Sequence, residues 1–274
     1  MTENVYKPIR AELVEITTET PTIKTVRLAP EEPVPFRAGQ FVQLTVPGLG
    51  EAPFTPSSDP RVADRLEISI LKTGAVTDRL HEMKPGAGLG LRGPFGKGYP
   101  LEKLAGQEVV LVGGGVGLAP LRALIYALLA EPEKYKRIVI LYGARTPAEL
   151  SFRKQYEEWA RPKNVTVKTT IDVAHPDWDG HVGLVTTLID ELKGVDTSKA
   201  YAVSCGPEIM LKFVTLKLLE KGFGDEHIYL SMNRRMSCGV GKCGRCNIGP
   251  YYLCKDGPDM CYAKIKDVAD TIFG

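Results

Sequence analysis

Residues 109–121 read VVLVGGGVGLAPL, and this stretch decides the fold. The run at 109–112 is apolar at every position, as a strand covered on both faces requires. Four glycines in five positions (113, 114, 115 and 117) then force a turn. Residues 118–130 follow with the leucine and alanine content of a helix. By residue count the whole run could imitate a membrane span, which needs about 20 apolar residues. Its glycines, Pro120 and Arg122 exclude that, and a strand, a turn and a helix explain it better.

A strand feeding a glycine turn and a helix start is a phosphate site in waiting. The first helical N–H groups are unpaired, the helix dipole is positive there, and glycine admits a pyrophosphate close to the backbone. A plain tight turn would need only one or two glycines, so the density of Gly113, Gly114, Gly115 and Gly117 favours phosphate. The loop departs from the G-x-G-x-x-G dinucleotide pattern, because Leu118 holds the third glycine position counted from Gly113. The next strand ends Tyr142-Gly143-Ala144-Arg145, with no acidic residue. Arg145 is either an adenosine 2′-phosphate contact or an ordinary surface arginine. Arg153 and Lys154 are weaker candidates for the same phosphate.

Downstream, strands alternate with helices. Strands are expected at 137–142, 165–171, 200–204 and 227–230. Helices are expected at 147–160, 184–192 and 208–221, which predicts a doubly wound parallel sheet. Ser204-Cys205-Gly206-Pro207-Glu208 and Met210 lie at a strand end and helix start, where ligands sit in open α/β sheets. Cys205 alone reads as a small packing residue. Upstream, residues 1 to about 100 carry short Val-, Ile- and Thr-rich runs at 9–16, 22–28, 41–46 and 66–71. Pro, Gly and Asp separate them at barrel or sandwich spacing. The glycine-punctuated segment 86–98 closes that region. EAPFTPSS at 51–58 is an extended segment stiffened by prolines, able to press Phe54 and hydroxyls on a flat ring. GAVTDRL at 74–80 opens a helical turn and is a second candidate phosphate site, although taken alone each of these two segments reads better as a plain turn or cap.

The chain has 274 residues, 43% hydrophobic and 25% charged, with a formal net charge of +2. That is globular composition, and it gives no case for nucleic acid or an anionic membrane. Six cysteines are present; five of them (Cys238, Cys243, Cys246, Cys254 and Cys261) fall within 24 residues. A disulfide scaffold spreads its cysteines along a small secreted chain, so the crowding points to a metal centre. The spacing C-x4-C-x2-C followed by a distal cysteine is that of a plant-type [2Fe–2S] site rather than the paired C-x2-C units of zinc. Either Cys254 or Cys261 completes it. The first ten residues have no apolar core of the export type, and a cytoplasmic location without membrane insertion is expected.

The order β region, xPFTxSS, GxxT, GGGVGLAP, YGAR, CGPEIM resembles the ferredoxin–NADP⁺ reductase superfamily over nearly residues 1–230. CGVGKCGRC…YYLCKDGP is similar to its [2Fe–2S]-carrying electron-transfer subunits, those of the sulfhydrogenases (gamma), of anaerobic sulfite reductase and of dihydroorotate dehydrogenase B. The resemblance implies an FAD-binding antiparallel β-barrel (1–103), an NAD(P)-binding α/β domain (104–231) and a small cluster module (232–274). It implies FAD along Pro53, Phe54, Thr55 and Ser57, with Thr55 near the flavin N5. Leu71, Lys72 and the flavin pyrophosphate residues Gly74, Ala75, Val76 and Thr77 complete that set. NAD(P)H would lie on Gly113, Gly114, Gly115, Val116, Gly117 and Pro120, with Arg145, and on Cys205, Gly206, Pro207, Glu208 and Met210. Cys238, Cys243, Cys246 and Cys254 would hold the cluster, Cys254 being preferred for its LCKDGP context. The arginine that many members carry at the head of the flavin motif is Ala52 here. The phosphate grip is therefore expected to rest on backbone groups or another cation.

The implied activity is electron transfer between NAD(P)H, FAD and the cluster, to or from a hydrogenase- or sulfite reductase-type partner subunit. No general acid or base is required by that scheme. The alternatives are a stand-alone NAD(P)H:acceptor reductase and a non-redox zinc adaptor on the same fold.

Overall fold

In the computed structural model, residues 4–268 are described. The ends of the first and last expected segments, 1–3 and 269–274, lie outside the described residues. Six strands come first: β1 (Ile9–Thr18), β2 (Ile23–Pro30), β3 (Phe41–Val46), β4 (Gly50–Phe54), β5 (Leu66–Leu71) and β6 (Gly88–Phe95). Helix α1 (Ala75–Glu82) lies between β5 and β6. They form one antiparallel sheet in the order β4-β3-β6-β1-β2-β5. Inward residues of alternate register fill its core: Leu13, Val26, Leu28, Leu44, Leu66, Ile68 and Leu91 are all at most 1% exposed.

Short α2 (Leu101–Leu104) leads to the second sheet: β7 (Glu108–Gly114), β8 (Arg137–Ala144), β9 (Val165–Ile171), β10 (His181–Val182), β11 (Tyr201–Cys205) and β12 (Ile228–Ser231). Its helices are α3 (Leu118–Leu129), α4 (Tyr156–Trp159), α5 (Val185–Asp190) and α6 (Glu208–Glu220). Two-residue strands β13 (Asn247–Ile248) and β14 (Tyr251–Tyr252) pair within the cysteine region, followed by α7 (Leu253–Asp256), β15 (Asp259–Cys261) and α8 (Tyr262–Ile265). The sheet runs β10-β9-β8-β7-β11-β12-β15, parallel except for the last pair.

The doubly wound expectation follows from the side chains of β7. Val109 and Leu111 pack with Leu121, Leu124 and Leu128 of α3, while Val110 and Val112 pack with Leu188 of α5 and Val214 and Leu218 of α6. Period-2 alternation thus buries both faces. Arg122, at odds with a membrane span, reaches from α3 to the first sheet and donates to Ser57 O at 3.0 Å and Glu67 Oε2 at 2.6 Å. Among the described residues, no helix is long and apolar enough to cross a membrane.

Two expectations need correction. The helix expected over 147–160 is broken into 3₁₀ turns at Pro147–Glu149 and Arg153–Gln155 and a single turn at α4. The N–H of Ser151 goes to Tyr142 Oη and that of Phe152 to Glu19 Oε2, while Phe152 turns left-handed at φ 58°. Those donors are withdrawn from the helical ladder. The segment at 86–98 is no mere closing loop, because β6 is a central strand paired with β1 and β3. The cysteine-rich end carries regular elements as well: its β15 adds an antiparallel edge to the second sheet, with Ser231 opposite Asp259.

Candidate functional site

Strands β7, β8, β9, β11 and β12 lie in the spatial order 3-2-1-4-5, so the topological switch falls between β7 and β11. Ligands of open α/β sheets sit outside the strand ends at that point. A cleft of about 650 Å³ opens there against the first sheet. Ala52–Thr55 of the β4 edge, Leu71 at the end of β5, Thr73 and Thr77 line one wall. Val116, Gly117, Pro120, Cys205 and Gly206 line the other. Residues 231–237 with Pro258 and Asp259 close the back.

Ten of the expected cofactor residues therefore meet in one place: Pro53, Phe54, Thr55, Leu71, Thr77, Val116, Gly117, Pro120, Cys205 and Gly206. Thr77 Oγ1 accepts from the N–H groups of Thr73 and Gly74, both at 2.9 Å, which ties down the start of α1. Lys72, Gly74 and Ala75 are exposed beside this turn, and Val76 packs partly into the core.

The remaining expected residues stand back from the cleft. Ser57 is fully buried and shares its hydroxyl with Ser69 Oγ at 2.9 Å. It is a link in a buried Thr25–Ser69–Ser57 chain, turned away from the open space. Gly114 and Gly117 have packing reasons of their own. A Cβ on Gly114 would stand 2.1 Å from Met210 Sδ, and one on Gly117 would stand 2.2 Å from the backbone oxygen of Cys205. The helix start and β11 can approach only without the Gly117 Cβ, whereas at Gly114 the obstacle is the end of the flexible Met210 side chain of α6. Gly113 is buried in β7, and Gly115 opens the 3₁₀ turn before α3. Pro207 leads into α6, and Glu208 pairs with Arg234 at 2.8 Å. Arg145 is exposed just past the end of β8, where its charge opposes the rise that burial gives the Asp172 carboxyl.

The cysteine loop adjoins this cleft. Cys238 Sγ faces Cys243, and Cys254 Sγ faces Cys246, giving two thiol pairs. Backbone N–H groups point at the sulfurs: Val240 and Lys242 to Cys238 at 3.4 and 3.3 Å, Gly241 to Cys254 at 3.1 Å. Burial opposes ionisation of Cys238, but this N–H donation outweighs it and lowers the thiol pKa. Burial and the neighbouring Cys246 raise that of Cys254. Gly239 holds φ +79° with Phe95 against it, where a Cβ would meet the ring at 2.8 Å. Cys261 lies elsewhere, in β15, with Sγ toward the carbonyls of Asp225 and Glu226. Among the described residues, no three His, Cys, Asp or Glu side chains converge on one metal position.

The first sheet anchors that loop. Arg92, 6% exposed, donates to Glu51 at 2.8 and 2.6 Å and to the carbonyls of Ser237 and Cys238, both at 3.3 Å. Gln43 Nε2 donates to Met236 O at 2.9 Å. The Arg92 pair holds the Glu51 carboxyl below the usual range. Sequence reading missed Arg92, Ser231, Arg234, Arg235 and Asp259. A buried arginine inside a glycine-rich run was the one signal that could have pointed to the first.

Such an arrangement defines an oxidoreductase of the flavin- and nicotinamide-binding type with an iron–sulfur domain. Residues 10–99 match the oxidoreductase FAD-binding domain, residues 111–215 the oxidoreductase NAD-binding domain, and residues 233–266 the iron–sulfur cluster binding domain of dihydroorotate dehydrogenase B. Sulfhydrogenase 1 subunit gamma of Pyrococcus furiosus is 35% identical over 275 residues, covering 96% of this chain and 94% of that one. The same organism's "Probable dihydroorotate dehydrogenase B (NAD(+)), electron transfer subunit" is 34% identical over 252 residues, covering 92% and 88%. A solved structure of NADH-dependent reduced ferredoxin–NADP oxidoreductase superposes with TM-score 0.75 at 26% identity, over 97% of this chain and 93% of that one. A ferredoxin–NADP⁺ reductase from Neisseria gonorrhoeae shares the fold, with TM-score 0.70 at 19% identity over 82% and 98%. The chain belongs to the family of sulfhydrogenase gamma and dihydroorotate dehydrogenase B electron-transfer subunits.

Proposed function

We propose that this chain passes electrons between NAD(P)H and a partner subunit, through FAD in the cleft and a [2Fe–2S] cluster on Cys238, Cys243, Cys246 and Cys254. The observation that carries this reading is the adjacency of the two thiol pairs to the cleft, through the shared segment 232–237. Bound FAD would take electrons as a pair and release them singly, and the cluster would carry them one at a time.

The chain's own part is binding and orientation. Pro53, Phe54 and Thr55 of the β4 edge offer a flat, half-buried surface for the flavin ring, and the 74–77 turn offers N–H groups for its pyrophosphate. Both edges of the first sheet, β4 and β5, line the cleft, which supports reading that sheet as a rolled barrel. Ala52 supplies no phosphate cation, and Arg234 and Arg235 line the same cleft as replacements. The 113–120 turn and Cys205–Gly206 would hold the nucleotide. N–H groups directed at sulfur favour the thiolate form that metal binding requires. A hydrogenase- or sulfite reductase-type partner and a cytoplasmic setting complete the proposal.

The test is spectroscopic. The purified chain should show flavin and iron–sulfur absorption together, with iron and labile sulfide in equal amounts. Cys254→Ser should abolish the paramagnetic signal of the reduced cluster, and Cys261→Ser should spare it. A colourless protein containing zinc would overturn the reading.

A further inference from the structure

A hydride is two electrons and a proton: NAD(P)H gives NAD(P)⁺, H⁺ and 2e⁻. In the proposed role the electrons leave singly through thiolate-bound iron, a route closed to the proton. Some group at the cleft must take it, or supply it when a hydride is assembled in reverse. Among the described residues lining the cleft, the candidates are Glu51, Cys205, Arg234, Arg235 and Asp259.

Most of these are unsuited. Glu51 is committed to Arg92 and held ionised below the usual carboxylate range. Burial pushes the Cys205 thiol up to about 12. The arginines do not exchange protons at accessible pH.

Asp259 differs in geometry. It is 8% exposed, yet it lines the back of the cleft from β15. Its Oδ1 accepts from Ser231 Oγ at 2.6 Å, and that hydroxyl also lies 3.0 Å from Tyr99 Oη. Its Oδ2 has no hydrogen-bond partner. Gly39 makes the room, since a Cβ there would stand 2.1 Å from Oδ2. A buried polar atom with no partner is costly, and a carboxyl held there without a cation is favoured in its neutral form. The groups facing it are Ser231 from β12, Tyr99 from the segment after β6 and Cys205 from the end of β11. None of these is a cation. Burial pushes the carboxyl up to about 8, with Ser231 pulling the other way. Both protonation forms are therefore populated near neutrality, the condition for efficient general acid–base exchange.

We propose that Asp259 is the proton-exchange residue of the cleft, accepting one proton for each hydride whose electrons depart and donating one when the direction reverses. The carboxylate becomes the acid on uptake and gives the proton up to solvent between turnovers. This rests on the cleft handling hydride as proposed above.

Two measurements test it. In the full chain labelled with ¹³C-aspartate, one carboxyl carbon should titrate near pH 8 and be missing in Asp259→Asn. A titration of Asp259 in the ordinary carboxylate range overturns the proposal without reference to activity. In the cofactor-loaded chain, reduced by NADH or NADPH and mixed with ferricyanide, electron exit should slow at least about tenfold in Asp259→Asn. Exit should slow more than hydride entry does, and the wild-type rise in exit rate toward pH 8 should disappear. Exit at the wild-type rate with the wild-type pH profile overturns the proposal alone. A wild-type chain that takes hydride from neither nucleotide overturns the functional reading, and this proposal with it.

Discussion

Arg92→Met would probe the joint between the first sheet and the cysteine loop. The guanidinium makes five hydrogen bonds: two to Glu51, and one each to the carbonyls of Val5, Ser237 and Cys238. Methionine keeps an apolar stem of similar length and removes all five, together with the guanidinium's place over the Phe95 ring. Breaking a buried pair from one side costs about 3–5 kcal/mol, because the partner is left uncompensated. Glu51 keeps 26% of its side chain exposed, so its stranded carboxylate can find water. That moves the expectation to the low end, about 3 kcal/mol. For a chain of this size each kcal/mol is worth roughly 2–4 °C, giving a fall in Tm of roughly 6–12 °C. The carbonyls of Ser237 and Cys238 also lose their anchor, so visible absorbance of the cluster should bleach ahead of the far-UV transition. Arg92→Met with Glu51→Gln should recover part of the loss, since both charges are then gone. The pair has a pH signature as well. Glu51 has a lowered pKa, so its contribution is present above the ordinary carboxylate value and is lost as pH falls through the lowered one. A single variant within about 1 °C of wild type, well under one kcal/mol on that conversion, would refute the joint. So would a double variant no more stable than the single.

Gly117→Ala should cost about 1–3 kcal/mol and weaken nucleotide binding, because the added Cβ meets the backbone oxygen of Cys205. Urea unfolding and a nucleotide titration check this, and an unchanged variant would show that the helix start can move. Arg145→Ala should raise the KM for NADPH and leave that for NADH alone; equal effects on both would refute a 2′-phosphate contact. For Asp259 the sign runs through its raised pKa. The folded form holds its proton up to about pH 8 while the unfolded chain loses it near 4, so wild-type stability falls across that interval. Asp259→Asn has no proton to lose, and its urea midpoint should gain on wild type from pH 5 to pH 8, by at most about 1.4 kcal/mol per pH unit. A difference that does not change with pH would refute the raised pKa.

The parts of the fold that were legible in the sequence are those with two buried faces. Strands β7 and β8 are runs that any apolar-pattern reading finds, and the glycine turn marks where β7 stops. Strand β6 hid because GLGLRGPF carries turn residues at four of eight positions, though Gly90 is there to admit Pro8 and Thr45. The broken helix at 147–160 hid for the opposite reason, since its composition is helical and only the distant Tyr142 and Glu19 divert its N–H groups. The front of the cleft was legible from short motifs. Its back was not, because Ser231 and Asp259 become neighbours only when β15 returns to the sheet, and nothing local in a three-residue strand announces its partner. The same register places Cys261 in β15, away from Cys254 in α7.

The return of β15 also bears on how the two halves of the site communicate. Segment 232–237 is at once the back wall of the cleft and the lead into Cys238. It is closed at its start by Met232 N–H on Pro258 O at 3.0 Å, and near its end by Gln43 and Arg92 from the first sheet. The first sheet, the nucleotide sheet and the cysteine loop thus share hydrogen bonds at one strip of backbone. A hinge between cleft and thiols would have to break several of these together, two of them from a buried guanidinium. Electron passage in the proposed role therefore needs no swing of the cysteine loop. The thiols differ in exposure: Cys246 and Cys254 are buried, and Cys243 is exposed. In the proposed role these four cysteines, Cys238 included, would hold the cluster, and Cys243, the exposed one, would be the ligand nearest an electron-accepting partner while the cleft stays assembled behind it.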